Sequence, residues 1–197
     1  MEEIAITPIP EEYVRLFHEI HDQVNLHHGT PLYHYAKEAE GGAIVDLGTW
    51  KGGSAITMAL GTRAGAGLKV YTVDAYTKRS EPYGPQDKEI FLRNVDTVGV
   101  DVELIEMDVD DAAVKHESLW KRGLSLVYWE IGGERIGHDF GNWSRFVIPG
   151  GFFLAKNTRD PFGSDPVILE ALRNGTWTRL PDMLIVSVLV KGDRFGE

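Results

Sequence analysis

The chain has 197 residues, 43% of them hydrophobic and 25% charged, which fits one water-soluble domain with a full core. A net charge of −10 argues against a nucleic-acid partner, because no basic run offsets an acidic surface that repels phosphate backbones. The absence of cysteine excludes disulfides, thiolate nucleophiles and cysteine-ligated zinc, and no apolar run is long enough to span a membrane.

The first segment, MEEIAITPIPEEY, lacks the basic and apolar regions of a signal peptide, so the cytoplasm is the expected compartment. The sequons at Asn142 and Asn174 are then read as chance. Residues 11 to 28 place Tyr13, Phe17, Ile20 and Val24 on one helical face. The same segment holds His18, His21, His27 and His28, with His34 soon after. These histidines read either as a metal site or catalytic base, or as solvated and interface side chains; supporting carboxylates at ligand spacing are missing. Gly29, Thr30 and Pro31 are expected to break the chain before a second helix carrying Leu32, Tyr35, Ala36 and Ala39. Residues 1 to 40 thus form an N-terminal helical cap, which is also a candidate homodimer surface, ahead of a ligand-binding domain at 41 to 197.

From Gly42 to Ala55 the chain reads GAIVDLGTWKGGSA: a buried strand, a glycine turn and the start of a helix. Gly48, Gly52 and Gly53 permit positive φ and close approach of a ligand to the main chain, and the dipole of the following helix favours a polar or anionic group. A nucleotide-like ligand is the natural candidate. The spacing fits neither the G-x-G-x-x-G dinucleotide fingerprint nor the G-x-x-x-x-G-K-[ST] phosphate loop. With Asp46 inside the strand, the pattern D-x-G-x-x-x-G resembles the first motif of the class I S-adenosylmethionine-dependent methyltransferases. The resemblance implies that Gly48, Thr49, Lys51, Gly52 and Ser54 cradle the methionine part of the cofactor and that Asp46 helps hold its amino group.

A helix with Ala55, Ile56, Ala59 and Leu60 inward follows, then a second strand over 69 to 73 ending at Asp74. An acid there, 20 or more residues past a glycine turn, is placed to accept hydrogen bonds from ribose hydroxyls. The loop 75 to 86 would overlie the carboxyl ends of the strands as an acceptor-side lid, and a helix with Ile90, Phe91, Asn94 and Val95 inward comes next. A third strand covers 101 to 107, and the resemblance gives Asp108 and Val109 the adenine contacts. Asp110 and Asp111 read as caps. The fourth strand, 125 to 129, ends at Glu130, and His138-Asp139 precedes a helix with Phe140, Trp143, Phe146 and Val147 inward. Pro149-Gly150-Gly151 leads to a fifth strand, 152 to 155, which ends at Lys156-Asn157-Thr158. Asp165 caps a further helix with Pro166 at its first position, and strands 177 to 180 and 183 to 190 flank Pro181-Asp182 as an antiparallel pair.

This order narrows the resemblance to the branch holding the macrolide-sugar O-methyltransferases and cephalosporin hydroxylase proteins. There the fourth strand ends in an I-D-G-D-H-like motif and the fifth in an aspartate, and these carboxylates bind Mg²⁺. Here Glu130 stands for the first aspartate, Asn157 for the last, and Gly132-Gly133 for the D-H pair, so Glu130, Asp139 and Asn157 are the candidate Mg²⁺ ligands with less anionic charge. The expected fold is α/β: a Rossmann-like, seven-stranded, mainly parallel sheet with an antiparallel C-terminal hairpin and helices on both faces. The expected function is S-adenosylmethionine-dependent methyl transfer to a hydroxyl of a small-molecule acceptor, with His138 as first candidate for the base and Glu130 as the second catalytic group. The alternatives are a non-catalytic S-adenosylmethionine- or nucleoside-binding protein on the same fold, and a nucleotide-dependent oxidoreductase.

Overall fold

The computed structural model describes residues 6–19, 26–77, 84–132, 135–156 and 162–192. The strands β1 (Ala43–Leu47), β2 (Val70–Val73), β3 (Val102–Ile105), β4 (Leu124–Trp129), β5 (Val147–Lys156), β6 (Trp177–Met183) and β7 (Val186–Lys191) form a sheet ordered β3-β2-β1-β4-β5-β7-β6. β1 pairs parallel with β2 and β4, whereas β7 runs antiparallel to both β5 and β6. The chain winds outward from β1 on one side and from β4 on the other, so the strand order reverses between them. Open α/β sheets bind ligands at such a reversal.

Helices α1 (Glu11–Glu19), α2 (Leu26–Glu38), α3 (Gly53–Arg63), α4 (Gln86–Val98), α5 (Val109–Lys115), α6 (Glu117–Trp120), α7 (Ile136–Trp143) and α8 (Pro166–Arg173) surround the sheet. Strand alternation divides the core between its faces. Val45, Leu47, Val127 and Trp129 pack with Trp120, Trp143 and Phe140 of α6 and α7. Ile44, Leu126 and Tyr128 pack with Leu32, Tyr35 and Ala36 of α2 and Met58 of α3. Trp120 and Trp143 are fully buried with ring centroids 5.2 Å apart. Among the described residues no helix is long and apolar enough to cross a membrane.

Four boundaries differ from expectation, the first being that α7 starts at Ile136 and so contains His138 and Asp139 rather than following them. Gly29, Thr30 and Pro31 do not break the chain, because α2 starts at Leu26 and carries Pro31 inside it. Only one intrahelical donor is lost so near a helix start, and burial of Leu32, Tyr35 and Ala36 outweighs it. Ile20, His21 and Val24 lie outside the described residues. β5 begins at Val147, before Pro149-Gly150-Gly151 rather than after it, and a register shift against β4 absorbs the extra residues. The final turn lies at Leu184–Ile185, not at Pro181-Asp182. β6 is the sheet edge, where a proline can leave the ladder unbonded, and the register shifts between Leu180 and Met183. Leu184 takes the turn's left-handed conformation, with φ 57.

Candidate active site

Asp46 is fully buried on β1, and its register partners are Thr72 on β2 and Tyr128 on β4. Its Oδ2 accepts hydrogen bonds from Ser54 (2.9 Å), Thr49 (3.2 Å) and Thr72 (3.2 Å), while Oδ1 is buried without a hydrogen-bond partner. Burial pushes its carboxyl up to about 7; the hydroxyl of Ser54 pulls the other way, and the charge of Glu130 adds to the rise. A buried acid with one satisfied and one unsatisfied oxygen is costly unless a donor or cation meets it. An ammonium group on Oδ1 would supply both, so these residues fit the amino end of an S-adenosylmethionine cofactor.

The turn after β1 is held by the protein itself. Gly48 and Gly52 have φ of 93 and 94, and a Cβ on Gly52 would lie 2.7 Å from the Phe91 ring of α4. Trp50 N–H donates to Asp74 Oδ2 (3.0 Å), Tyr76 N–H to Asp74 Oδ1 (2.8 Å), and the Tyr76 hydroxyl to the Trp50 carbonyl (2.9 Å). Asp74 therefore straps the loops after β1 and β2 together. Both Trp50 (φ 50) and Tyr76 (φ 47) hold left-handed backbone to make this closure. Lys51 gives its carbonyl to Asn94 (2.9 Å), and its ammonium lies over the Trp50 ring. Asp108 caps α5 by accepting from Asp110 N–H (3.0 Å), and Val109 is buried in the α5–α7 side of the core.

Glu130 follows β4 on the same face as Asp46. Its Oε1 pairs with Lys156 at the end of β5, and its Oε2 accepts from the Tyr128 hydroxyl (2.8 Å) and lies 3.3 Å from His28 Nε2 on α2. His28 also contacts the Tyr128 hydroxyl directly. Burial pushes the imidazole down, the charge of Glu130 raises it and that of Lys156 lowers it, and the net direction is down. His28 is thus held toward its neutral form behind a carboxylate that remains partly exposed (27%).

His138 and Asp139 belong to a different group. Asp139 is fully buried; Trp129 Nε1 donates to it (2.7 Å), and Arg135 grips both its oxygens through Nε and Nη2. Arg135 also reaches Asp110 (3.0 Å), to which His138 (2.9 Å) and Asn142 (3.1 Å) are joined. Burial raises the Asp110 carboxyl, but His138 and Arg135 outweigh it and hold it below its ordinary value. Trp129 points to the α7 face and Tyr128 to the α2 face, so strand alternation puts Asp139 and Glu130 on opposite sides of the sheet. The structure does not gather Glu130 with Asp139, nor with His138, and Asn157 lies outside the described residues. Ligand atoms of Asp110, His138 and Asp139 come within 4.8 Å of one another, but Arg135 already donates to both carboxylates.

His28, one of the histidines open to a metal or base role in the sequence, completes the Glu130 group together with Tyr128 and Lys156, neither of which is assigned a role from the sequence. His28 and Tyr128 stand 100 residues apart, which no local pattern reveals. A lysine ending an otherwise apolar strand was the available signal for Lys156.

No protein-family model matches the chain, and no curated protein matches it. Solved structures do match. The O-methyltransferase from Bacillus cereus, in complex with SAH, is 17% identical, with 93% of this chain and 92% of that one covered and a TM-score of 0.66. The O-methyltransferase TomG from Streptomyces achromogenes, involved in tomaymycin synthesis and in complex with SAM, is 16% identical over 96% and 93%, with a TM-score of 0.64. The SAH-bound Podospora anserina methyltransferase PaMTH1 is 16% identical over 95% and 91%, with a TM-score of 0.61. The chain therefore has the class I methyltransferase fold, as the D-x-G-x-x-x-G turn and strand order implied.

Proposed function

We propose that the protein transfers a methyl group from S-adenosylmethionine to a hydroxyl of a small-molecule acceptor. The observation that carries this reading is the unpartnered, buried Asp46 Oδ1 at the ligand end of a methyltransferase fold. When bound, the cofactor supplies an electrophilic methyl group: the acceptor oxygen bonds to it while the sulfur keeps the electron pair of the broken bond and leaves as a neutral thioether. Asp46 holds the amino group, Asp74 the ribose, and Asp108 and Val109 the adenine edge, while the loop at Gly48–Gly52 shapes the methionine channel. Lys51 and Thr49 act through that loop, Lys51 by its carbonyl and Thr49 by its bond to Asp46.

Glu130 takes up the hydroxyl proton. It is partly exposed, stands on the Asp46 face, and has its Oε2 oriented by the Tyr128 hydroxyl. His28 lies behind it and positions it. His138, first choice for the base on sequence grounds, is bound to Asp110 on the other face, so we assign it a surface role. Mg²⁺ assistance by Glu130, Asp139 and Asn157 is not supported, because Glu130 is already paired with an ammonium and Asp139 with a guanidinium on the opposite face.

The test is calorimetric titration with S-adenosylmethionine and S-adenosylhomocysteine. Micromolar binding that disappears in Asp46→Asn is expected; absence of binding would leave a methyltransferase fold put to another use.

A further inference from the structure

At the carboxyl ends of β4 and β5, where the resembled branch holds Mg²⁺ between carboxylates, the described residues of this chain place one carboxylate and one ammonium joined to each other. Lys156 ends β5 with its Nζ on Glu130 Oε1. The other oxygen of Glu130 is taken by Tyr128 and His28. The three partners come from β4, β5 and α2, so the arrangement is fixed by the tertiary structure rather than by one flexible loop.

A divalent ion needs several hard oxygen ligands free of competing cations. Here the carboxylate that the described residues offer is paired with an ammonium, which stands where the ion's charge would be. Two like charges close together in a partly desolvated site repel strongly. We propose that Lys156 replaces the divalent cation: its ammonium supplies the positive charge at the acceptor end of the site and excludes a metal from Glu130. This rests on the methyltransferase reading for what the charge is used for, but not for whether a metal can bind. The site is then metal-independent by construction, with a fixed single charge in place of an exchangeable double one.

The experiment uses Mn²⁺ alone, followed by electron paramagnetic resonance on the full chain. The signal specific to this site is the binding seen in the unaltered protein minus that remaining in Glu130→Gln, which removes any contribution of the acidic surface. No Glu130-specific binding is expected in the unaltered protein, and a Glu130-specific site there would overturn the proposal. In Lys156→Gln, Glu130-specific Mn²⁺ affinity is expected to rise at least tenfold; Lys156→Met, which removes the charge without adding an oxygen ligand, provides the same readout if the first variant does not fold. No rise in a folded variant would show that Lys156 is not what excludes the ion. Lys156→Arg keeps the charge and is expected to remain silent to Mn²⁺, and a gain there would equally overturn the assignment. Titration of the unaltered protein with S-adenosylhomocysteine in the presence of a chelator reads the cofactor assignment separately. Loss of that binding alone would sink the methyltransferase reading and leave the Lys156 result standing.

Discussion

Two polar groups flank the end of β4, built from adjacent residues of one strand and put to different uses. On the α2 face, Tyr128 leads to Glu130, Lys156 and His28, and the carboxylate at the centre stays partly exposed. On the α7 face, Trp129 leads to Asp139 and Arg135, and the carboxylate at the centre is sealed. The first group leaves its central carboxylate partly exposed on the same face as Asp46. The second satisfies both oxygens of Asp139 internally and presents Asp110 and His138 outward. Exposure of the central acid, rather than the presence of a histidine beside an aspartate, separates the group proposed for the chemistry from the one that ties α5 to α7.

The comparison predicts which substitutions damage turnover and which damage stability. Glu130→Gln is expected to lower kcat by about 10²–10⁴-fold, the usual worth of a positioned base, with S-adenosylhomocysteine affinity retained. A kcat within threefold of the unaltered protein would remove Glu130 from the chemistry. Arg135→Met should act on stability, since it strands the buried Asp139 charge; a loss of about 3–5 kcal/mol is expected by urea denaturation. If the variant unfolds like the unaltered protein, the α7 group is not the structural tie described here.

Asp46→Asn should separate binding from stability on the α2 face. The folded-state carboxyl is raised from 3.8 to about 7, so the folded protein holds a proton that the unfolded chain has lost. That contribution is complete below pH 4 and is lost as pH rises through 7, leaving a buried charge. The asparagine variant is therefore expected to gain several degrees in Tm at pH 8, gain little at pH 4, and lose cofactor binding. A Tm gain that did not depend on pH would contradict the burial of a charge at this position. His28→Ala, acting through Glu130, should cost about tenfold in kcat and alter the pH–rate profile more than KM. The smallest effect belongs to His138→Ala, which should change turnover by less than threefold; a loss as large as that of Glu130→Gln would restore it as the base and invert the comparison.

Much of this was legible along the chain. The turn Gly48–Gly52 follows a buried run and opens a helix, so strand, turn and helix start are written in consecutive residues. The acids that end strands, Asp74 and Glu130, were likewise visible, because a polar residue closing an apolar run has few places to go but the strand end. The D-x-G-x-x-x-G spacing and the antiparallel ending followed from the same local signals, and the seven-stranded sheet agrees with them. What the sequence could not determine is which side chains meet. Glu130 and Asp139 are nine positions apart and look like co-ligands, yet the two-residue period of β4 sends Tyr128 and Trp129 to opposite faces and carries the two acids with them. Lys156 meets Glu130 only because β4 and β5 are neighbours in register, and His28 meets Tyr128 only because α2 covers that face. Local physics settled the elements; packing across the sheet decided which of its charges face each other.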